Sequence, residues 1–316
     1  MTFVVIPTCS DRNTVTITRR GWLRSVLAAG VAVSRPVRVI ADPETRTRDL
    51  VTPQTQRAIE RGLAWLALRQ HPDGSFGSGS GFGRNVAVTA LSGIAFLASG
   101  STPGRGLHGE HVHRAVDFVL SVAKPNGFLH VKEQESYGPM YGHGFATLFL
   151  AEVYGMSQRA DVREKLERAV RLIVQTQNSE GGWRYQPEPK EADISATVCQ
   201  IMALRAARNA GLHVPKETVD RCSDYVKKCQ NSDGGFRYQL VRRGESAFPR
   251  SAAGVVALHN AGLYEGKEIE RGLSYLQRFA PHAPMARFEG HFFYGHYYAA
   301  QAMWRAGGEL WNEWYP

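Results

Sequence analysis

Two kinds of apolar pattern alternate along the chain. In DVREKLERAVRLIVQT, residues 161–176, Val162, Leu166, Ala169, Val170 and Ile173 recur at helical spacing while the remaining positions are largely charged. Such a stripe predicts an amphipathic helix with one face on a core. Asp161 followed by Glu164 reads as a capping box at its start. Comparable stripes run over residues 54–69, 113–123 and 267–277, and another opens at Pro215 with Val219, Cys222, Val226 and Cys229 on one face. Stretches of the second kind lie between them: VAVTALSGIAFLASG, GHGFATLFLAEVYG, DISATVCQIMALRAARNAG, PRSAAGVVALHNAG and GHYYAAQAMWRAGG. These are small-residue rich, poor in charge and mostly closed by a glycine suited to a left-handed stop. A helix apolar nearly all round must be buried. The pattern therefore predicts outer and inner helices in alternation.

The turns joining them repeat as well. QNSEGGWRYQ at 177–186 returns as QNSDGGFRYQ at 230–239, and HPDGSF and KPNGF are shorter versions. Their closing aromatics, Phe76, Phe128, Trp183 and Phe236, are 52, 55 and 53 residues apart, and a further 52 leads to Phe288. A period near fifty means an array of like units. Glycine permits the left-handed exit from a helix, and glutamine can satisfy the backbone groups freed there. The motif is read first as a joint. Five pairs of this kind predict an all-α protein, an α/α toroid of about five to six helical hairpins around a cavity.

Composition changes this picture little. Apolar residues make up 43% and charged residues 21%, the balance of a globular domain. Residues 1–41 hold six arginines against one acid, carrying +5 of the net +9. Nucleic-acid binding is not expected, because no basic run interleaved with aromatics follows. The leader TRRGWLR, VLAAGVAV, VIA resembles a twin-arginine export signal, so residues 1–48 are set apart as a basic leader or tail and 49–316 as the toroid domain. Export would give a periplasmic or membrane-associated protein, with peripheral membrane contact; without it the protein is cytoplasmic. On one helix Cys222 and Cys229 would stand about 10.5 Å apart, beyond the roughly 7 Å reach of a disulfide.

The glycine-aromatic joints at this period, over residues 51–308, resemble the prenyltransferase and squalene-cyclase repeat superfamily. The resemblance implies the toroid fold and a hydrophobic isoprenoid or other small-molecule ligand. Triterpene cyclases of this kind carry DxDD, whose central Asp protonates an alkene. Laid on it, KEADISATV puts Glu191 first and Asp193 at the centre, with Ile194 replacing the last acid. Protein prenyltransferase β-subunits instead hold zinc through Asp, Cys and His; Asp193, Ser195 and His296 fall on those places, without the thiolate. No cofactor is expected, and zinc is the alternative this second comparison raises. Both comparisons meet at Asp193.

Tyr-Gly-His opens two inner helices, placing Tyr141 with His143 and Tyr294 with His296 at equivalent positions, and Ser195 at the same position between them. Tyr141, His143, Asp193, Tyr294 and His296 are expected to line one end of the cavity, where imidazoles, phenols and an acid could protonate a substrate or hold a cation. The function expected is acid catalysis through Asp193 on an isoprenoid. The alternatives are a non-catalytic binding scaffold and a carbohydrate-active toroid of the polysaccharide-lyase type. The thioester branch of such toroids is excluded by the absence of GCGEQ.

Overall fold

A computed structural model describes residues 51–79, 82–131, 138–157, 159–242, 244–283 and 290–315. Phe288 and the 1–48 leader lie outside them. The described residues form helices and no strand. The outer helices are α1 (Pro53–Ala67), α3 (Gly109–Ser121), α5 (Ala160–Gln175), α7 (Lys216–Lys228) and α9 (Lys267–Gln277). The inner ones are α2 (Val86–Ala98), α4 (Pro139–Ser157), α6 (Ile194–Asn209), α8 (Phe248–Ala261) and α10 (Phe292–Ala306). A short α11 (Gly308–Trp314) ends the array. Each inner helix packs on the next, α2 on α4, α4 on α6, α6 on α8 and α8 on α10. Small residues make this close: a Cβ at Gly144 of α4 would stand 2.8 Å from the Cβ of Cys199 on α6.

The joints do what their composition predicts, with one refinement. Only the first glycine of each, Gly74, Gly127, Gly181 and Gly234, has a positive φ, between +86° and +101°. Each of these four rests on a backbone carbonyl of the next outer helix, Arg114, Arg168, Arg221 and Arg271, which an added Cβ would meet at 2.1–2.4 Å. Gln177 reinforces the latch, donating to Gly181 O at 2.8 Å and to Thr218 O on α7 at 2.9 Å. Gln70 and Gln230 repeat that pair of bonds in their own units.

Two residues on, a side chain is buried under the joint: Phe76, Leu129, Trp183 and Phe236. In the second unit it is Leu129 rather than Phe128, a correction to the alignment on aromatics. The amide of each buried residue is received by a side chain in the first turn of its inner helix, Thr89, His143, Thr197 and Ser251, at 2.8–3.2 Å. His143 is therefore the counterpart of Thr197, and the expected equivalence with Ser195 is wrong by two residues. The capping box at Asp161 is not formed either. The N-cap is Arg159, whose guanidinium takes the Asp161 carboxylate in two bonds of 3.0 and 2.6 Å.

The arc of inner helices closes on itself through α10. Tyr297 meets Phe145 of α4 with ring centroids 6.4 Å apart. Tyr298 Oη lies 3.5 Å from Cys199 Sγ of α6, and Tyr294 Oη donates to Ser195 O at 3.5 Å. Trp314 of α11 covers Phe248 and His296 from outside. Cys199, Cys222 and Cys229 are buried free thiols.

Candidate functional site

Asp193 is the N-cap of α6, in extended conformation, and its Oδ1 accepts from Ala196 N at 2.8 Å. That bond satisfies one orphan amide of the helix end. Two joints hold the residue in place. Asp193 N donates to Trp183 O of the third joint at 2.9 Å, and Ile194 N donates to Tyr238 O of the fourth at 3.0 Å. The side chain is wholly buried.

Its second oxygen, Oδ2, has no hydrogen bond of ordinary geometry. Arg184 Nε stands 3.8 Å away, likewise unbonded, while Arg184 Nη1 pairs with Glu191. Burial pushes the Asp193 carboxyl up to about 6, against the Ala196 amide, the Tyr238 hydroxyl, Arg184 and the Ser195 amide, which favour the charged form. Desolvation wins over a helix terminus and a cation. The Tyr238 hydroxyl is hydrogen-bonded to the hydroxyl of Tyr185.

Aromatic residues surround this acid. Tyr141 of α4 is raised in pKa by burial and by the nearby Asp193, Tyr294, Cys199 and Tyr238, and its ring lies 6.0 Å from that of Tyr185. Tyr294 of α10 is raised by burial first, then by Cys199 and Asp193, and its ring packs edge-on at 4.9 Å against Tyr298. A cleft of about 300 Å³ opens beside the group between the starts of α2 and α4. Phe82, Val86, Val88, Pro139, Tyr141 and Tyr185 are among its walls. Asp193 is not, so the cleft meets the site at two tyrosines.

Asp193, Tyr141 and Tyr294 thus lie near one another, with Glu191 joined through Arg184, but of the three only Tyr141 lines the cleft. The histidines do not. His143 is wholly buried, its Nδ1 taking the Leu129 amide and its Nε2 lying 3.3 Å from Ala169 O of outer helix α5. It is a joint residue. His296 packs among Phe292, Phe248 and Trp314 at 4.2, 4.9 and 5.7 Å. The zinc arrangement fails with it, since Ser195 offers no thiolate and His296 does not converge on Asp193. Among the described residues no cluster of three His, Cys, Asp or Glu could hold a metal.

Sequence reasoning missed Tyr185, Tyr238 and Arg184. Their signal was present. A joint needs only the stretch up to the buried aromatic, yet the two decapeptides agree beyond it in Arg-Tyr-Gln, which the first two joints lack.

The family model described as the prenyltransferase alpha-alpha toroid domain matches residues 47–278. The chain belongs to that family. Within this prenyltransferase toroid family it is 27% identical over 194 residues to drimenyl diphosphate synthase of Streptomyces showdoensis, covering 61% of this chain and 34% of that protein. The chain therefore spans about a third of the length of that curated relative. Among solved structures, ent-copalyl diphosphate synthase from Streptomyces platensis superposes with a TM-score of 0.52 at 18% identity, covering 68% of this chain and 39% of that one. A type II terpene cyclase from Scytonema, solved with geranylgeranyl dihydroxybenzoate, gives a TM-score of 0.49 at 16% identity over 72% of this chain and 64% of that one.

Proposed function

We propose that this toroid domain acts on an isoprenoid by acid-initiated cyclisation, with Asp193 as the proton donor. The observation that carries the reading is a buried carboxyl at a helix start that keeps its proton to about pH 6 amid tyrosine rings. A carboxylic acid acts as a donor only where its surroundings keep it neutral. The acid would give its proton to a terminal alkene carbon, and the faces of Tyr141 and Tyr294 would stabilise the cation formed. Exclusion of water around the carboxyl protects such a cation from capture. The relationship to drimenyl diphosphate synthase supports an isoprenoid as the substrate class.

The test is incubation of the protein with farnesyl and geranylgeranyl diphosphate and with squalene, with products read by mass spectrometry after phosphatase treatment. Wild type is expected to form cyclic product and Asp193→Asn none. Rates should fall as pH rises through about 6, where the acid loses its proton. Unchanged substrate in every wild-type reaction overturns the reading. One observation favours a second: Asp193 has no exposed surface, and tyrosines of α10 pack against α6 beside it. A binding scaffold would retain a ligand in the cleft, with equal affinity in wild type and Asp193→Asn.

A further inference from the structure

The entrances of α2 and α6 match residue by residue. Asn85 N donates to Phe76 O at 3.0 Å as Asp193 N donates to Trp183 O at 2.9 Å. Four residues on, Thr89 and Thr197 receive the amides of the same two aromatics. Asn85 therefore holds in α2 the place that Asp193 holds in α6. Both are N-caps, Asn85 through its Oδ1, which accepts from Val88 N at 3.0 Å.

The entrances differ in what the next amide meets. Met140 N of α4 donates to Tyr185 O of the following joint at 3.0 Å, and Ile194 N of α6 donates to Tyr238 O at 3.0 Å. In α2 the corresponding pair is Val86 N and Val131 O. They make no such bond, and both residues line the cleft instead. Among the described residues, Val86 N, Ala87 N and Asn85 Nδ2 have no acceptor. Asn85 is only 8% exposed, and it lines the cleft; with Oδ1 spent on the helix, Nδ2 is the atom it presents there. No Asp or Glu is among the described residues lining the cleft. Unpaired N–H groups at the positive end of a helix suit an oxyanion. Phe82, Val88, Pro139 and Tyr141 supply apolar surface beside them.

We propose that the start of α2 binds the oxyanion head of an amphiphile, phosphate or carboxylate, with Asn85 selecting charged heads over neutral ones and the tail lying along the apolar walls. This deepens the cyclase reading, on which it rests for the isoprenoid nature of the tail, and it favours a charged substrate over squalene, which has no polar end. The amide at 85 and the acid at 193 then divide one structural position between two tasks, and an acid at 85 would repel the ligand.

The experiment measures binding of farnesyl diphosphate, farnesoate and farnesol to the full chain by calorimetry, in wild type, Asn85→Asp and Asn85→Ser. Both replacements keep a capping oxygen for Val88 N, so the fold is retained, checked by thermal melting. Wild type is expected to bind at least one of the two oxyanion ligands about tenfold more tightly than farnesol, and the better of them identifies the head. Asn85→Asp should weaken that ligand by about tenfold or more and leave farnesol within about twofold; Asn85→Ser, which only removes the donor, should fall between. Absence of an oxyanion preference in wild type, or a preference that survives Asn85→Asp, overturns the proposal. The two readings fail separately. Farnesyl diphosphate held tightly but never cyclised overturns the cyclase reading alone, and cyclisation with an unchanged KM in Asn85→Asp overturns the anchor alone.

Discussion

His143 and Asp193 open neighbouring inner helices, both wholly buried, both polar, and they have opposite degrees of satisfaction. Each imidazole nitrogen of His143 has a backbone partner. Asp193 has one amide on Oδ1 and nothing of ordinary geometry on Oδ2. A buried polar group with all its bonds made is fixed in the scaffold, whereas one left short is poised to change state. The sequence offered His143 as a companion to Asp193 at the site. Counting partners separates the two.

The largest expected effect is on the satisfied side. His143→Ala would leave the Leu129 amide and Ala169 carbonyl unpaired beside a cavity, costing roughly 3–5 kcal/mol. Chemical denaturation with an unchanged slope would measure it, and a loss below 1 kcal/mol would break the contrast. On the unsatisfied side, Asp193→Asn should stabilise the protein above pH 7. The carboxyl rises from 3.8 unfolded to about 6 folded, so its contribution is full below 3.8 and lost as pH climbs through 6. Relief of that penalty is worth about 3 kcal/mol at alkaline pH and vanishes near pH 3.

His143 slopes the other way. Burial lowers it from 6.5 to about 4, so it supports the fold above 6.5 and withdraws that support as pH falls through 4. Between pH 4 and 6 the two trends offset each other. The wild-type stability profile there should be flatter than that of Asp193→Asn, which is expected to rise steeply with pH, aided by His259, also lowered to about 4. Parallel profiles would refute the opposition. A smaller effect belongs to Thr197→Val, which removes the acceptor for Trp183 N and should cost about 1–2 kcal/mol. Smallest of all, Glu191→Gln should lower the Asp193 pKa slightly by freeing Arg184. Carboxyl infrared titration reads that shift.

Helix alternation and the glycine joints were legible in the sequence, because each follows from spacing or from a motif within a dozen residues; Asp193 was singled out only through the family resemblance. The fine register was not. In the second unit the residue buried after the left-handed glycine is Leu129, and Phe128 beside it drew the alignment one place off. His143 then appeared to correspond to Ser195 rather than to Thr197. The tyrosine pair was marked in the sequence by the shared Arg-Tyr-Gln, but its contact was not. Tyr185 and Tyr238 meet across 53 residues only because consecutive joints sit side by side, a geometry that no local pattern encodes.

The four latching glycines all lean the same way, each on a carbonyl of the helix that comes later in the chain. As the polypeptide leaves the ribosome, a hairpin must wait for its successor before its turn can lock. Assembly is thus ordered from the amino end, every unit provisional until the next arrives. The hairpin of α9 and α10 then reaches back to α4 and α6, so Tyr294 takes its place near Asp193 only after the four earlier hairpins have been made.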